Sequence, residues 1–238
     1  MGESLTWIGG GFALVLVSLA VLSLVWFWRA RVYRSLVHPV MAARQRVLFE
    51  RFPVKQGDVV FLGDSLTQQG PWGEMFPGVP VRNRGVSGDT TSDVQARVLE
   101  ATHAAPAQIF LMIGTNDLGL GLSAGAVLAN LSRIVSEIRR TSPGTALVLQ
   151  TLLPREAALR TNVEAVNRGL ALLAEREGLP LVDVGRAMRS PAGTLRPELT
   201  RDGLHLVDAG YQVWKDALEP WVRRSSVPAG EETGREES

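Results

Sequence analysis

Short apolar runs alternate in this chain with longer segments whose apolar residues recur at helical spacing, and this alternation restricts the fold more than any other feature. Four runs have the length and composition of buried strands: residues 59–62, 109–113, 146–149 and 181–184. A weaker run at 79–83 carries Pro80 and Arg82, which favour the edge of a sheet. Strands that alternate with helices form a parallel sheet covered on both faces. We therefore predict a three-layer α/β/α fold with a five-stranded parallel sheet.

Three of the intervening segments carry apolar stripes of helical period. The stripes are Val127, Leu128, Leu131, Ile134, Val135 and Ile138; Val163, Val166, Leu170 and Leu173; and Tyr211, Trp214, Leu218 and Trp221. We predict that these stripes face the core. The first helix should stop before Pro143, and Asp208 should cap the last one.

The N-terminal segment differs in composition from the rest of the chain. No charged residue occurs from Ser4 to Trp28, and residues 12–27 are almost all apolar. At about 1.5 Å per residue, a helix of this length crosses the roughly 30 Å hydrocarbon core of a bilayer. Trp7 and Trp26 stand near its ends, as interfacial anchors do. We predict a single retained transmembrane anchor over residues 5–28.

Two alternatives to this anchor are a buried core helix and a cleavable signal peptide. Against the signal peptide, Met1-Gly2-Glu3 supplies no basic n-region, and no small-x-small cleavage site precedes the polar boundary. Five arginines follow the segment within a few turns, at positions 29, 31, 34, 44 and 46, whereas only Glu3 precedes it. The positive-inside rule then places the C-terminal domain in the cytoplasm.

The predicted anchor is followed by a basic connector over residues 29–56. It has an apolar stripe at roughly helical spacing, made of Val32, Leu36, Val40, Ala43 and Val47, and Pro39 should break or kink the helix. We expect the connector to pack on the domain as a first helix, with electrostatic contact to lipid in addition. The alternative is that it lies on anionic headgroups. The domain itself covers residues 57–224, and the tail at 225–238 has no apolar face and is expected to be disordered.

Composition excludes several classes of protein. The chain of 238 residues has no cysteine, which excludes disulfides and thiolate metal sites. A formal charge of +1 provides no overall field that would attract nucleic acid. With three histidines, no His-Glu-x-x-His and no phosphate-binding Gly-x-x-x-x-Gly-Lys, the sequence carries no metal-hydrolase or P-loop motif. We predict no metal and no cofactor.

Polar clusters that contain glycine follow the predicted strands. They are Gly-Asp-Ser-Leu at 63–66, Asn-Arg-Gly-Val-Ser-Gly-Asp-Thr at 83–90, Gly-Thr-Asn-Asp at 114–117 and, near the C-terminus, Asp-Gly-Leu-His at 202–205. Taken singly, each also fits a turn or a helix cap. The crevice of an open α/β sheet lies outside the carboxyl ends of its strands, so we expect the clusters to meet there.

In this order, the four clusters resemble those of the SGNH (GDSL) hydrolase family, over roughly residues 59–222. The resemblance is closest to platelet-activating-factor acetylhydrolase catalytic subunits and similar bacterial esterases, through residues 88–91, 152–155 and 205–211. It implies a flavodoxin-like sheet and a serine esterase that needs no cofactor. By motif, it makes Ser65 the nucleophile, His205 the base and Asp202 the partner of that base. Ser65, Gly88 and Asn116 would form the oxyanion hole, with Gly85 a less favoured candidate for the place of Gly88.

These residue types suit ester hydrolysis. A serine hydroxyl needs a base to take its proton, and an imidazole can do so near neutral pH. A carboxylate fixes the tautomer of that imidazole. Backbone N–H groups and an asparagine amide can donate to an oxyanion, whereas an aspartate would repel it. We expect Asp89 and Asp117 to be cap and loop residues and not an acid/base pair.

Short loops and the absence of an inserted lid predict an open site for a small acyl group such as acetyl. The membrane anchor favours a lysophospholipid or another lipid as the alcohol. An acetylated carbohydrate of the cell envelope is the alternative, and it would fit a domain that faces outward. A catalytically inactive, membrane-tethered binding module is disfavoured because the whole catalytic set is present.

Overall fold

The computed structural model describes residues 32–222 together with Val17. The predicted tail over 225–238 and, apart from Val17, the predicted anchor over 5–28 lie outside these residues. Along the part of the chain that is described, no helix is both long enough and apolar enough to cross a membrane. The chain divides into two compact units between Val47 and Leu48.

The second unit contains a five-stranded sheet in which every pair of neighbouring strands is parallel. In chain order the strands are β1 (Val59–Gly63), β2 (Val81–Gly85), β3 (Gln108–Met112), β4 (Ala146–Gln150) and β5 (Leu181–Val182). Their spatial order is β2-β1-β3-β4-β5. Every residue of β1 and β3 is buried, and because successive side chains point to opposite faces, both faces of the sheet are covered. The predicted α/β fold with a five-stranded parallel sheet is confirmed.

The strand boundaries differ from the predicted ones at the two edges of the sheet. At the first edge, β2 begins at Val81, after Pro80, because proline cannot donate to a strand ladder. At the other edge, β5 has only two residues, Leu181 and Val182, where four were predicted. The edge position of β2 is confirmed.

Helices precede, connect and follow these strands. A π-helical turn at Tyr33–Val37 leads into α1 (His38–Arg51), and the others are α2 (Ser65–Gln68), α3 (Trp72–Met75), α4 (Thr91–Ala96), α5 (Leu99–Thr102), α6 (Thr115–Gly119), α7 (Ala124–Thr141), α8 (Ala157–Glu177) and α9 (Asp208–Leu218). The end of α7 before Pro143 is confirmed. The prediction that Asp208 caps α9 is wrong, because Val207 occupies that position and no side chain bonds the first turn.

The predicted apolar stripes of α7, α8 and α9 are buried, with two exceptions. Leu128 is only half-buried, and Trp221, beyond the end of α9, is exposed. Around β1 and α9 the core is aromatic, with the rings of Phe61 and Trp72 stacked at 4.2 Å between centroids and Trp214 edge-on to Trp72 at 5.0 Å. These helices therefore hold the sheet by burying aliphatic and aromatic surface.

The segment before the sheet departs from the predicted arrangement. Pro39 does not break the helix: it lies in the first turn of α1, directly after the π-helical turn. A proline ring crowds the carbonyl four residues earlier, and a widened turn relieves that contact. The predicted stripe of Val32, Leu36, Val40, Ala43 and Val47 is exposed at all five positions.

Two paired glycines make room for α2 at the end of the sheet. Gly63 and Gly85 are register partners at the ends of β1 and β2. A Cβ atom added at Gly85 would overlap the backbone nitrogen of Gln68. It would lie 2.6 Å from the Cα of Gln68 and 2.8 Å from the carbonyl oxygen of Asp64. A Cβ atom at Gly63 would meet the carbonyl oxygen of Met112. Gly85 is therefore needed for close packing against α2.

We expect Gly85→Ala to lower the free energy of unfolding by about 1–3 kcal/mol, since a methyl group there meets backbone atoms that cannot move aside. Gly73→Ala is the matched control: Gly73 lies in α3, its φ is ordinary and a Cβ atom would meet nothing within 4 Å. Urea unfolding of the two variants measures the difference. Equal stability of both would contradict the packing constraint.

Candidate active site

Ser65 lies at the sharp turn between β1 and α2. Asp64 caps the helix, its Oδ1 accepting from the backbone N–H of Leu66 at 3.0 Å, and Ser65 is the first helical residue. The first N–H groups of a helix have no acceptor within the helix. The turn therefore presents both the hydroxyl and the backbone N–H of Ser65 at the carboxyl end of the sheet.

His205 and Asp202 complete a hydrogen-bonded chain with Ser65. The Oγ of Ser65 lies 3.1 Å from Nε2 of His205, and Nδ1 of His205 lies 2.7 Å from Oδ2 of Asp202. A carboxylate can only accept, so Nδ1 carries the proton and Nε2 offers its lone pair to the serine hydroxyl. The structure thus brings together three residues that were predicted from two motifs 140 positions apart.

Asp202 also holds the loop that carries His205. Its Oδ1 accepts from the backbone N–H groups of Leu204 at 2.9 Å and His205 at 2.7 Å. Partial burial raises the pKa of Asp202, but the hydrogen bonds from the His205 ring and from these two backbone groups outweigh it and hold the pKa well below its usual range. Asp202 is therefore ionised when the imidazole becomes charged.

Gly88 lies in the loop after β2, and Asn116 lies in the first turn of α6, which follows β3. Gly88 has φ of +83°, a conformation that favours glycine. The side-chain amide of Asn116 donates to the carbonyl oxygen of Asp89 at 2.9 Å, which ties α6 to the residue after Gly88. The amide has a second N–H, which bonds no acceptor within the described part of the chain. Gln68 of α2 accepts from the backbone N–H of Ser87 at 2.6 Å and so ties α2 to the same loop.

Arg97 links the segments that carry Ser65 and Gly88. Its Nε donates to Oδ2 of Asp89 at 2.7 Å, and its Nη2 donates to the carbonyl oxygens of Gly63 and Arg84 at 3.0 Å each. Both members of the ion pair are buried. Asp89 lies in the loop after β2, as predicted, and is also half of a buried ion pair, which the sequence did not predict. Its spacing from Arg97 follows no helical or strand period, so the sequence carries no signal for this contact.

Asp117 joins α6, which also contains Asn116, to helix α4. Its Oδ2 accepts from the backbone N–H of Thr91 at 2.9 Å, and its Oδ1 accepts from the Thr91 hydroxyl at 2.5 Å. The predicted cap role is confirmed, although Asp117 itself lies in α6 and not in a loop. Burial raises the pKa of Asp117, and the bonds from Thr91 offset part of that rise.

Arg155 is a supporting residue that sequence reasoning did not single out. Its Nη1 donates to the hydroxyl of Thr115 at 2.6 Å, next to Asn116, while its Nε pairs with Glu156 at 2.8 Å. Arg155 is the last residue of the Leu-Leu-Pro-Arg motif at 152–155. This motif contributed to the family resemblance, but the resemblance assigned Arg155 no role.

The carbonyl groups of α2 and of the turn after it accept hydrogen bonds from two buried side chains and one half-buried side chain. Tyr211 donates from its hydroxyl to the carbonyl oxygen of Leu66 at 2.9 Å. Trp72 donates from Nε1 to that of Thr67 at 2.8 Å, and Asn83 donates to the carbonyls of Thr67, Gln68 and Gly70 at 3.0–3.3 Å. A four-residue helix leaves its carbonyls without intrahelical partners, so these side chains hold α2 in place.

Asp64 is an unusual component of this turn. It is buried, and its Oδ2 has no hydrogen-bond partner among the described residues. Burial raises the pKa of Asp64 to about 7, and the nearby Asp89 and Asp117 contribute in the same direction, although the bond from Leu66 opposes the rise. A neutral carboxyl group next to Ser65 follows at mildly acidic pH.

The sequence profile of the GDSL-like lipase/acylhydrolase family matches residues 61–213, which include every residue of this site. The chain belongs to this family and is a carboxylic-ester hydrolase.

Among curated relatives, the chain is similar to the platelet-activating factor acetylhydrolase IB subunit alpha2 of Gallus gallus. Identity is 32% over 167 residues, which cover 66% of this chain and 72% of the relative. A solved Streptococcus structure, described as that of a platelet activating factor, is 27% identical, with a TM-score of 0.69, and the match covers 86% of this chain and 98% of that one. An acetylxylan esterase from Geobacillus stearothermophilus shares the fold at 23% identity, with a TM-score of 0.58 and coverage of 72% and 99%.

We expect the stability of the protein to depend on the protonation of Asp64. Its folded pKa of about 7 lies above its ordinary value of 3.8, so its proton stabilises the folded state fully below pH ~4. That contribution, on the order of 4 kcal/mol, is lost as the pH rises to about 7. Asp64→Asn cannot titrate, so it should gain stability relative to the parent over this range in urea unfolding.

The control for the loss of a carboxylate is Asp216→Asn, at an exposed position on α9. Parallel stability profiles for Asp64→Asn and the parent from pH 4 to 7 would show that Asp64 is ionised in the folded protein throughout.

Proposed function

We propose that Ser65 is the nucleophile of an acyl-ester hydrolase in which His205 acts as general base and Asp202 orients it. The observation that carries this proposal is the continuous chain of contacts, at 3.1 and 2.7 Å, from the serine hydroxyl through the imidazole to the carboxylate. His205 takes the hydroxyl proton as Ser65 attacks the ester carbonyl, and returns it to the alkoxide that leaves. Water then attacks the acyl-enzyme by the same route.

The proposed oxyanion hole consists of the backbone N–H groups of Ser65 and Gly88 and the side-chain amide of Asn116. In support, Asn116 is held by its bond to Asp89, and Arg97 holds Asp89 and the end of β1 together. Donors fixed before reaction stabilise a developing negative charge without reorganisation. The reaction requires neither a metal ion nor a cofactor, since base and donors are all supplied by the chain.

We further propose that the acyl group is short, with acetyl as the preferred case. His205 and Asp202 are partly exposed, with 36% and 54% of their side-chain surface accessible, which supports an open site. The chain's similarity to acetylhydrolase subunits supports the same acyl group. For the alcohol we propose a lysophospholipid or another lipid, because the uncharged segment at 5–28 would tether the enzyme to a bilayer.

The catalytic domain is proposed to lie in the cytoplasm, on the basis of the arginines that follow residue 28. A domain on the outer side of the membrane would favour the alternative substrate, an acetylated carbohydrate of the cell envelope.

With p-nitrophenyl acetate as substrate, Ser65→Ala should lower kcat by about 10⁶-fold because it removes the nucleophile. Asn116→Ala should lower kcat by about 10²–10³-fold with little change in KM, because one oxyanion donor is lost. Ser136→Ala, on an exposed part of α7, is the control and should retain full activity. An unchanged kcat in Ser65→Ala would contradict the proposed mechanism.

Membrane topology can be measured with reporter fusions at the C-terminus. A fusion to a reporter that is active only in the cytoplasm should be active, and one that requires export should be silent, because the arginines are retained on the cytoplasmic side. The opposite pattern would reverse the proposed localisation and favour the carbohydrate ester.

A further inference from the structure

Several apolar residues of the first helical segment are exposed, although a helix that faces only water normally carries polar residues on its exposed side. Leu36 and Val40 are each 67% exposed and Val47 is 62% exposed. With Val32 and Ala43 they recur at intervals of three and four residues, so they form one stripe along the π-helical turn and α1. We call these five residues the α1 stripe. Away from this stripe Phe49 is buried, but further apolar residues there are also exposed, by 37–57%: Val37, Met41, Leu48 and Phe52.

The basic residues of this region are placed around the α1 stripe. Arg44 and Arg46 are two positions apart, so at about 100° per residue they lie on opposite sides of it. Residues 29–56 contain seven basic residues against one acidic residue, Glu50, in a chain whose formal charge is only +1. Positive charge is therefore concentrated in the region that contains the exposed apolar stripe.

An apolar stripe flanked by arginines is the arrangement of a helix that lies in the plane of a membrane surface. Its aliphatic side chains enter the boundary between headgroups and acyl chains, and its guanidinium groups reach outward to lipid phosphates. Anionic lipid would complement the local charge, and the attraction would weaken as salt screens it.

We propose that the α1 stripe and its arginines dock on an anionic phospholipid surface. The segment that precedes this helix, from Ser4 to Trp28, is free of charge, and its proposed role as an anchor would bring α1 to the headgroup region. The inference rests on that tether for its geometry, but it adds a second contact that depends on lipid charge.

The chain has no cysteine, so a single introduced cysteine can report the environment of one position. Val40→Cys and Val47→Cys place a label on the α1 stripe, and Leu172→Cys, 68% exposed on α8, places a control label elsewhere. The full chain carries an environment-sensitive fluorophore and is reconstituted into vesicles of phosphatidylcholine, with or without phosphatidylserine. A quencher attached to lipid chains reports penetration of the label.

In vesicles with phosphatidylserine, labels at 40 and 47 should shift to shorter wavelength and be quenched several-fold more than the label at 172. Replacing Arg44 and Arg46 by glutamine, or raising the salt concentration, should reduce that contrast to near the value in pure phosphatidylcholine. Labels at 40 and 47 that stay as exposed as the label at 172 would overturn the proposal.

Two further outcomes are diagnostic. If the α1 stripe binds a second copy of the chain, the labels at 40 and 47 will be shielded in detergent without lipid, and cysteines at position 40 will form a disulfide between copies; this also overturns the proposal. Retention on vesicles after an alkaline wash tests the tether separately. If the protein is retained but the labels are exposed, only the α1 proposal is contradicted. If the protein binds neither kind of vesicle, the α1 proposal and the proposed tether are both contradicted.

Discussion

The active end of this molecule depends on the close approach of helix α2 to the ends of β1 and β2. That approach is possible because the paired residues Gly63 and Gly85 have no side chains: a Cβ atom at Gly85 would overlap the backbone of α2, and one at Gly63 would meet the side chain of Thr67. The position of Ser65, the proposed nucleophile, at the start of α2 and the bonds to the carbonyls of α2 from Tyr211 and Trp72 depend on this contact. A helix of four residues has little stability of its own and takes its position from what surrounds it.

A second requirement is that the loops after three different strands keep a fixed relation. Arg97 bonds the end of β1, the end of β2 and Asp89, and Asp89 in turn accepts from Asn116. Asp117 extends this hydrogen-bond network to helix α4 by accepting from the backbone N–H of Thr91. A buried charge is destabilising unless it is paired or hydrogen-bonded. These bonds form only when the loops hold their partners at the right distances, so they favour one arrangement of the loops. Two atoms of this region are buried without a hydrogen-bond partner among the described residues, Oδ2 of Asp64 and Nη1 of Arg97, and each destabilises the fold locally.

Much of the fold could be predicted because the strands are uninterrupted apolar runs, and the catalytic motifs follow them in order. Prediction was less accurate where tertiary contacts decide the outcome. The contact between Arg97 and Asp89 follows no periodic pattern in the sequence. The packing role of Gly85 was not predicted, because its neighbour α2 comes close to it only in the folded chain. The α1 stripe shows a related limit. Helical periodicity predicted the spacing of these apolar residues. Spacing alone does not distinguish a stripe that is buried against protein from one that is exposed.

The central claim is that Ser65 is activated by His205, and reaction with a fluorophosphonate tests it most directly. The full chain is treated with the reagent, digested and analysed by mass spectrometry to locate the adduct. We expect one phosphonylated residue, Ser65, and we expect labelling to slow by orders of magnitude in His205→Ala, since the hydroxyl then has no base. Absence of an adduct on Ser65, or equal labelling in the His205 variant, would contradict the account.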